Sequence, residues 1–129
     1  KCDLLFFPAC GQMAPYIKTN KPIIYNTDAT VHLILDYYWL NISNRSKKMA
    51  KELEERACRR ATVNTRASQW AIDSVVKDCK CNPDRCHVLE FGPGIDISDI
   101  IPNKPYINGD INILFSGTNW DWKGGHIAV

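Results

Sequence analysis

Apolar residues along this chain fall into two regimes. From Val31 to Cys79 they recur at the three- and four-residue spacing of helices; beyond Cys86 they alternate or come in short runs broken by proline and glycine. Val31, Ile34, Leu35, Tyr38 and Ile42 stand at i, i+3, i+4, i+7 and i+11, which predicts a helix over 28–42, capped by Asn26-Thr27-Asp28. Alternate residues Val31, Leu33, Leu35, Tyr37 and Trp39 also suit a strand, so both templates fit that segment. Met49, Leu53 and Ala57, four apart, predict a second helix over 46–61, with Cys58 facing inward beside them. A third helix follows Asn64-Thr65, with Ala71, Ile72, Val75, Val76 and Cys79 on one side and Asp73 and Lys77 away from it.

Both ends of the chain read differently. Pro8, Gly11, Pro15 and Pro22 break up the first residues, which predicts an extended arm over 1–25. Pro83, Pro93, Pro102 and Pro105, with Gly92, Gly94 and Gly109, bar long helices from the last third. His87 to Phe91 reads as a short strand and Asp110 to Ser116 as a second, while Asn108-Gly109 suits a type I′ hairpin turn. The expected fold is therefore one α+β domain over 1–129, with an arm at 1–25, a mainly helical part at 28–79 and strands and loops at 87–129. In it, helices from the first two-thirds pack on a small antiparallel sheet from the C-terminal third. With 129 residues and 45% apolar content, one core is in reach. The longest apolar stretches, Leu4 to Cys10 and Val31 to Leu40, are too short to span a bilayer.

Cysteine content adds a covalent expectation. Cys2, Cys10, Cys58, Cys79, Cys81 and Cys86 are even in number in a short chain, which predicts three disulfides in an oxidising, extracellular setting. Cys79 and Cys81, one residue apart, are poorly placed to bond each other, so they reach toward Cys58 or the amino-terminal pair. The rival reading is a metal site from Cys79, Cys81, Cys86 and His87, but the C-x-C-x4-C-H spacing lacks paired C-x2-C knuckles, and no metal or cofactor is expected. Lys1 directly before Cys2 reads as the product of an export signal already removed. Two sequons, at Asn41 and Asn44, agree with secretion and glycosylation.

Charge is concentrated in one place. Between Arg45 and Arg66 eight basic residues face three glutamates, an excess of five (8 − 3), which leaves the remainder of a chain of net charge +2 at about −3. Pairs such as Glu52 with Arg56 and Glu55 with Arg59 suit a solvated helix face. Lys48, Lys51, Arg56, Arg59 and Arg60 could equally meet phosphate, nucleic acid or anionic lipid, although the absence of aromatics between Met49 and Ala67 weighs against base stacking.

Candidate chemistry is sparse. Trp120-Asp121-Trp122, if extended, projects two indoles from one face, able to stack on a sugar or grip a protein, or else to serve as core. His32 reads as packing. His87 and His126, with Glu90, are the acid–base candidates for a ribonuclease or glycosidase, and Glu90 with Asp110 or Asp121 offers paired carboxylates. Asp96 and Asp99 lack an EF-hand spacing. No nucleophile elbow, zinc-protease, P-loop or dinucleotide fingerprint occurs. Together these features predict a small secreted, monomeric binding protein of toxin, effector or ligand type that recognises a protein or glycan partner. The alternatives are a secreted hydrolase using His87, Glu90 and His126, and a lectin-like module using Trp120 and Trp122.

Overall fold

Leu5–Pro8, expected to belong to an irregular arm, is the first strand of a parallel sheet. A computed structural model describes residues 2–38, 41–92, 94, 109 and 114–128. They divide into two units, Lys1–Gly94 and Ile95–Val129. In the first unit β1 (Leu5–Pro8), β2 (Ile23–Thr27), β3 (Val63–Arg66) and β4 (Cys86–Val88) lie side by side in that order. Every neighbouring pair runs parallel, with Leu5 opposite Ile23, Ile24 opposite Val63 and Asn64 opposite Cys86.

Each strand-to-strand connection is a crossover, as parallel pairing demands. A 3-10 turn over Gly11–Tyr16 links β1 to β2; helices α1 (Val31–Tyr38) and α2 (Asn44–Arg60) link β2 to β3; helix α3 (Gln69–Lys77) links β3 to β4. The antiparallel sheet expected from the C-terminal third is thus overturned, because three of the four strands come from segments read as arm or helix. A buried parallel strand shows a continuous apolar run and not an alternating one. Leu4-Leu5-Phe6-Phe7 and Ile23-Ile24-Tyr25 are continuous apolar runs, although β1, at the sheet edge, leaves Phe6 exposed. β3 hid for another reason: its buried residues Asn64, Thr65 and Arg66 are polar.

The helices sit near their expected places. α2 begins at Asn44, capped by Ser43, whose Oγ accepts from the Ser46 amide. α1 is confined to Val31–Tyr38, the helical and not the strand reading of that stretch. α3 is capped by Ser68, not by Asn64-Thr65, which are in β3. Ile23, Tyr25, Ala57, Cys58, Ile72, Val75, Cys79 and Cys86 form the core between sheet and helices, with Leu5 and Phe7 against it. Each fully buried large aliphatic there contributes about 1.5–3 kcal/mol. The opposite sheet face carries the row Phe6, Ile24 and Val63, of which Phe6 is 54% exposed.

All six cysteines are free thiols. The three expected disulfides are therefore overturned: Cys2 and Cys10 are exposed, whereas Cys58, Cys79 and Cys86 pack inside as small apolar groups. Denatured without reductant, the protein is expected to titrate six thiols with Ellman's reagent; four or fewer would restore a bridge.

In the second unit the described part is a turn over 120–124 leading into the short helix α4 (Gly125–Ala128). Trp120 and Trp122 lie in that turn, not on an extended strand, and each is about half exposed. Trp120 packs edge-on against Phe115 at 5.1 Å, and its ring lies so close to Gly125 that a Cβ there would stand 2.3 Å from it. The expected strand over Asp110 to Ser116 has no strand at 114–116, and its first part, with Asp96, Asp99 and the Asn108-Gly109 turn, lies outside the described residues except for Gly109.

Candidate functional site

An open parallel sheet offers its ligand positions where the strands end at their carboxyl termini, since the loops and helix starts converge there. In the first unit that edge is formed by the residues after β2 and β3. Asp28 follows β2 directly; its Oδ1 accepts from the Thr27 hydroxyl at 3.0 Å and the Ala29 amide at 2.8 Å. The carboxylate is held by one oxygen. Thr30 then turns the chain into α1 and is tied to α3, because the Ser74 hydroxyl donates to Asp78 at 2.7 Å and Thr30 to Ser74 at 2.6 Å.

This buried polar link holds α1 and α3 at a fixed spacing, and a cavity of about 440 Å³ lies along them. Asp28, Leu33, Ile34, Tyr37, Tyr38 and Trp70 line it together with Ala29. Trp70 is 59% exposed at the start of α3, and the Tyr37 and Tyr38 rings meet edge to face at 4.8 Å. Three aromatic rings and one oriented carboxylate therefore share one concavity, and no cation stands among its described lining residues.

Beneath the edge a buried charge pair anchors the strands. Arg66, fully buried, donates through Nη1 to the carbonyls of Tyr25 (3.1 Å) and Thr65 (2.8 Å) and through Nη2 to the Cys58 sulfur (3.3 Å). Its guanidinium lies 4.5 Å over the Tyr25 ring and 4.0 Å from Glu54 Oε1. Glu54 accepts from the Val31 amide and from the Tyr25 hydroxyl (3.4 Å), so α2 grips both the first residue of α1 and β2. Burial pushes the Glu54 carboxyl above the usual carboxylate range, against the opposing pull of Val31 and Arg66. Burial likewise raises Tyr25, with the Glu54 charge adding to it.

Cys58, Cys81 and Cys86 hold their protons. Cys58 shares side-chain hydrogen bonds with Cys79 and Cys81; the bond with Cys79 and then burial hold its proton on. Cys81 is raised by its bond to Cys58, and Cys86 by burial. A thiol that keeps its proton at neutral pH is a poor nucleophile and a poor metal ligand. Among the described residues no group of three or more His, Cys, Asp or Glu side chains is placed to hold a metal ion.

The residues singled out from the sequence lie elsewhere. His87 is exposed on β4 and Glu90 is exposed just beyond it, with no hydrogen bond or ion pair to either among the described residues, and His126 belongs to α4 of the second unit. His32 packs with its Nε2 3.6 Å from Glu55 and its Nδ1 buried without a partner. Lys48, Arg59 and Arg60 are engaged locally: Lys48 near Glu52 (3.9 Å), Arg59 on Glu55 (3.2 Å) and Arg60 on the Thr19 carbonyl (2.5 Å). Arg56 lies 5.4 Å over the Tyr16 ring. Lys51 borders a groove with Asp36, Lys47 and Lys48. Asn41 and Asn44, the sequon asparagines, are exposed.

Sequence reasoning missed Asp28, Tyr37, Tyr38 and Trp70 as a group. Their only signal was the Asp-Ala-Thr stretch closing a β-run and opening a helix, visible once Ile23–Thr27 is read as a strand. Comparison with protein-family models, curated proteins and solved structures finds no match for this chain.

Proposed function

We propose that the chain is a recognition module whose first unit binds a neutral, hydroxyl-rich ring, a sugar, in the pocket of Asp28, Tyr37, Tyr38 and Trp70. The observation that carries this reading is the coincidence of aromatic walls and one oriented carboxylate at the carboxyl edge of a parallel sheet. A cavity of about 440 Å³ falls within the roughly 300–1,000 Å³ common for small-ligand pockets. Indole and phenol rings offer flat apolar area to the C–H face of a sugar, and Asp28 Oδ2 is left to accept from hydroxyls. Without a cation in the described lining, a phosphate would face the Asp28 carboxylate uncompensated, which disfavours nucleotides.

This keeps the glycan-binding part of the sequence reading and moves it from Trp120 and Trp122 to a different set of rings. Action outside the producing cell, as a toxin, effector or ligand, rests on the two exposed sequon asparagines and forms the setting of the proposal, not its support. No hydrogen bond or ion pair among the described residues joins His87 or Glu90 to a partner acid or base, so no observation favours the hydrolase reading.

The test is titration of a panel of neutral mono- and oligosaccharides followed by calorimetry or NMR. Binding by the parent protein is expected, with Trp70→Ala weakening it tenfold or more, about 1.4 kcal/mol, and Trp70→Phe retaining most of it. Trp70 is exposed, so neither change threatens the fold. A parent that binds no sugar, or a Trp70→Ala variant that binds as tightly as the parent, would overturn the reading.

A further inference from the structure

The exposed stripe of α2 carries Arg45, Met49, Glu52 and Arg56, with Leu53 beside it and Lys48 and Arg59 along its flank. The 3-10 turn packs next to it and adds Met13 and Tyr16, which with Met49 are each about 60% exposed. Tyr16, Met49, Ala50, Glu52, Leu53 and Arg56 line a depression between the two elements. The result is an apolar strip with basic residues at both ends, along a helix of 17 residues, about 25 Å long.

We propose that this face lies on an anionic lipid surface. Two observations point there and are independent of the sugar pocket. First, Arg45, Lys47 and Lys48 crowd the start of α2, whose first turn holds no acidic residue. Cations there oppose the helix dipole, and of the three only Lys47 ties α2 to another element, through Asp36 of α1. Lys47 has Asp36 at 2.7 Å and Lys48 has Glu52 at 3.9 Å, but Arg45 has no partner among the described residues. An external layer of negative charge would offset Arg45 and Lys48 on the exposed face, whereas Lys47, half-buried, turns toward Asp36 of α1.

Second, the apolar side chains between the cations are Met, Leu and Tyr, soft or amphipathic groups that enter a headgroup region while long basic side chains reach up to phosphates. A flat strip of spread cations suits a surface of mobile headgroups; an acidic protein would be expected to find a deeper, convergent set. The buried pair Glu54 and Arg66 cancels, and along the exposed stripe and its flank Arg45, Lys48, Arg56 and Arg59 stand against Glu52 and Glu55, while Lys47 and Lys51 border a separate groove beside Asp36. No helix of the described residues is long and apolar enough to cross a membrane, so the contact is peripheral.

Cosedimentation of the full chain with vesicles of phosphatidylcholine, with and without phosphatidylserine, tests this. Binding is expected only to the anionic vesicles and is expected to fall as sodium chloride is raised. Arg45→Gln with Lys48→Gln should weaken it roughly 25-fold, at about fivefold per basic side chain. Met49→Ser should weaken it severalfold, and Trp70→Ala should leave it unchanged. All four positions are exposed; circular dichroism confirms folding, and Arg45→Gln alone serves if the double variant unfolds. Equal binding to both vesicle types, no binding to either, or full binding by the charge variants overturns the proposal. So does competition by polyglutamate together with indifference to Met49→Ser, which would mark an acidic protein as the partner.

Discussion

Glu54→Ala is expected to cost about 3–5 kcal/mol, because it strips the one carboxylate that, among the described residues, lies within 4.0 Å of the fully buried Arg66 and leaves that guanidinium uncompensated. Domains of this kind are stable by about 5–15 kcal/mol in total, so the variant should melt far below the parent or fail to fold. Glu54→Gln keeps an oxygen for the Val31 amide and should lose less, yet it still removes the charge. A double variant, Glu54→Gln with Arg66→Met, should recover much of the loss, since it removes both buried charges together and leaves neither uncompensated. Thermal unfolding of the four proteins checks the ordering; an Ala variant within 1 kcal/mol of the parent, on the order of an exposed pair, would mean that the charge pair is dispensable.

The same carboxyl leaves a trace in pH. Its native pKa is raised by burial, so between the ordinary carboxylate range and that raised midpoint the native state holds a proton that the unfolded chain has released. Stability contributed by that proton is fully present below the unfolded pKa and is lost as pH rises through the native one. The Glu54→Gln variant lacks this downward slope, and comparison of denaturant midpoints across mildly acidic pH reads the difference.

Gly11→Ala is the second large effect. A Cβ at Gly11 would stand 2.2 Å from the Tyr25 ring carbons Cδ2 and Cε2, inside any real contact distance. Tyr25 cannot swing aside: its face is covered by Arg66 and its hydroxyl is held by Glu54. Overpacking usually costs about 1–3 kcal/mol, and a ring pinned on two sides puts this case at the upper end. Tyr25→Leu in the Gly11→Ala background should relieve part of the clash. If Gly11→Ala alone unfolds with the parent's midpoint, the turn can shift and the ring is not pinned.

How much of this was readable beforehand differs by element. α2 and α3 were legible because their apolar spacing, and the polar side facing water, follow from a helix lying on something apolar, whatever that something is. Met49, Leu53 and Ala57 carry that signal locally. The sheet was not legible, because β1 and β2 are continuous apolar runs that lack the apolar–polar alternation of a strand signal, and because β3 brings Asn64, Thr65 and Arg66 inside. Arg66 is buried only because Glu54, twelve positions earlier, Tyr25 and two backbone carbonyls meet it there. The pocket failed to show for the same reason: Asp28 and Trp70 are forty-two positions apart and become neighbours only when β2 and β3 pair in parallel.

The sequence by itself determined that helices occupy the middle of the chain, that one core could form, that charge gathers on α2 and that no segment suits a membrane span. These are properties of nearest neighbours along the chain and of composition. Tertiary structure alone decided the direction of the strands, the state of the sulfurs and the place of the pocket. Cysteine number says only that bridges could form; whether two sulfurs meet within bonding distance depends on how distant segments pack, and here Cys58, Cys79 and Cys86 pack as thiols in the apolar core while Cys2 and Cys10 stay exposed.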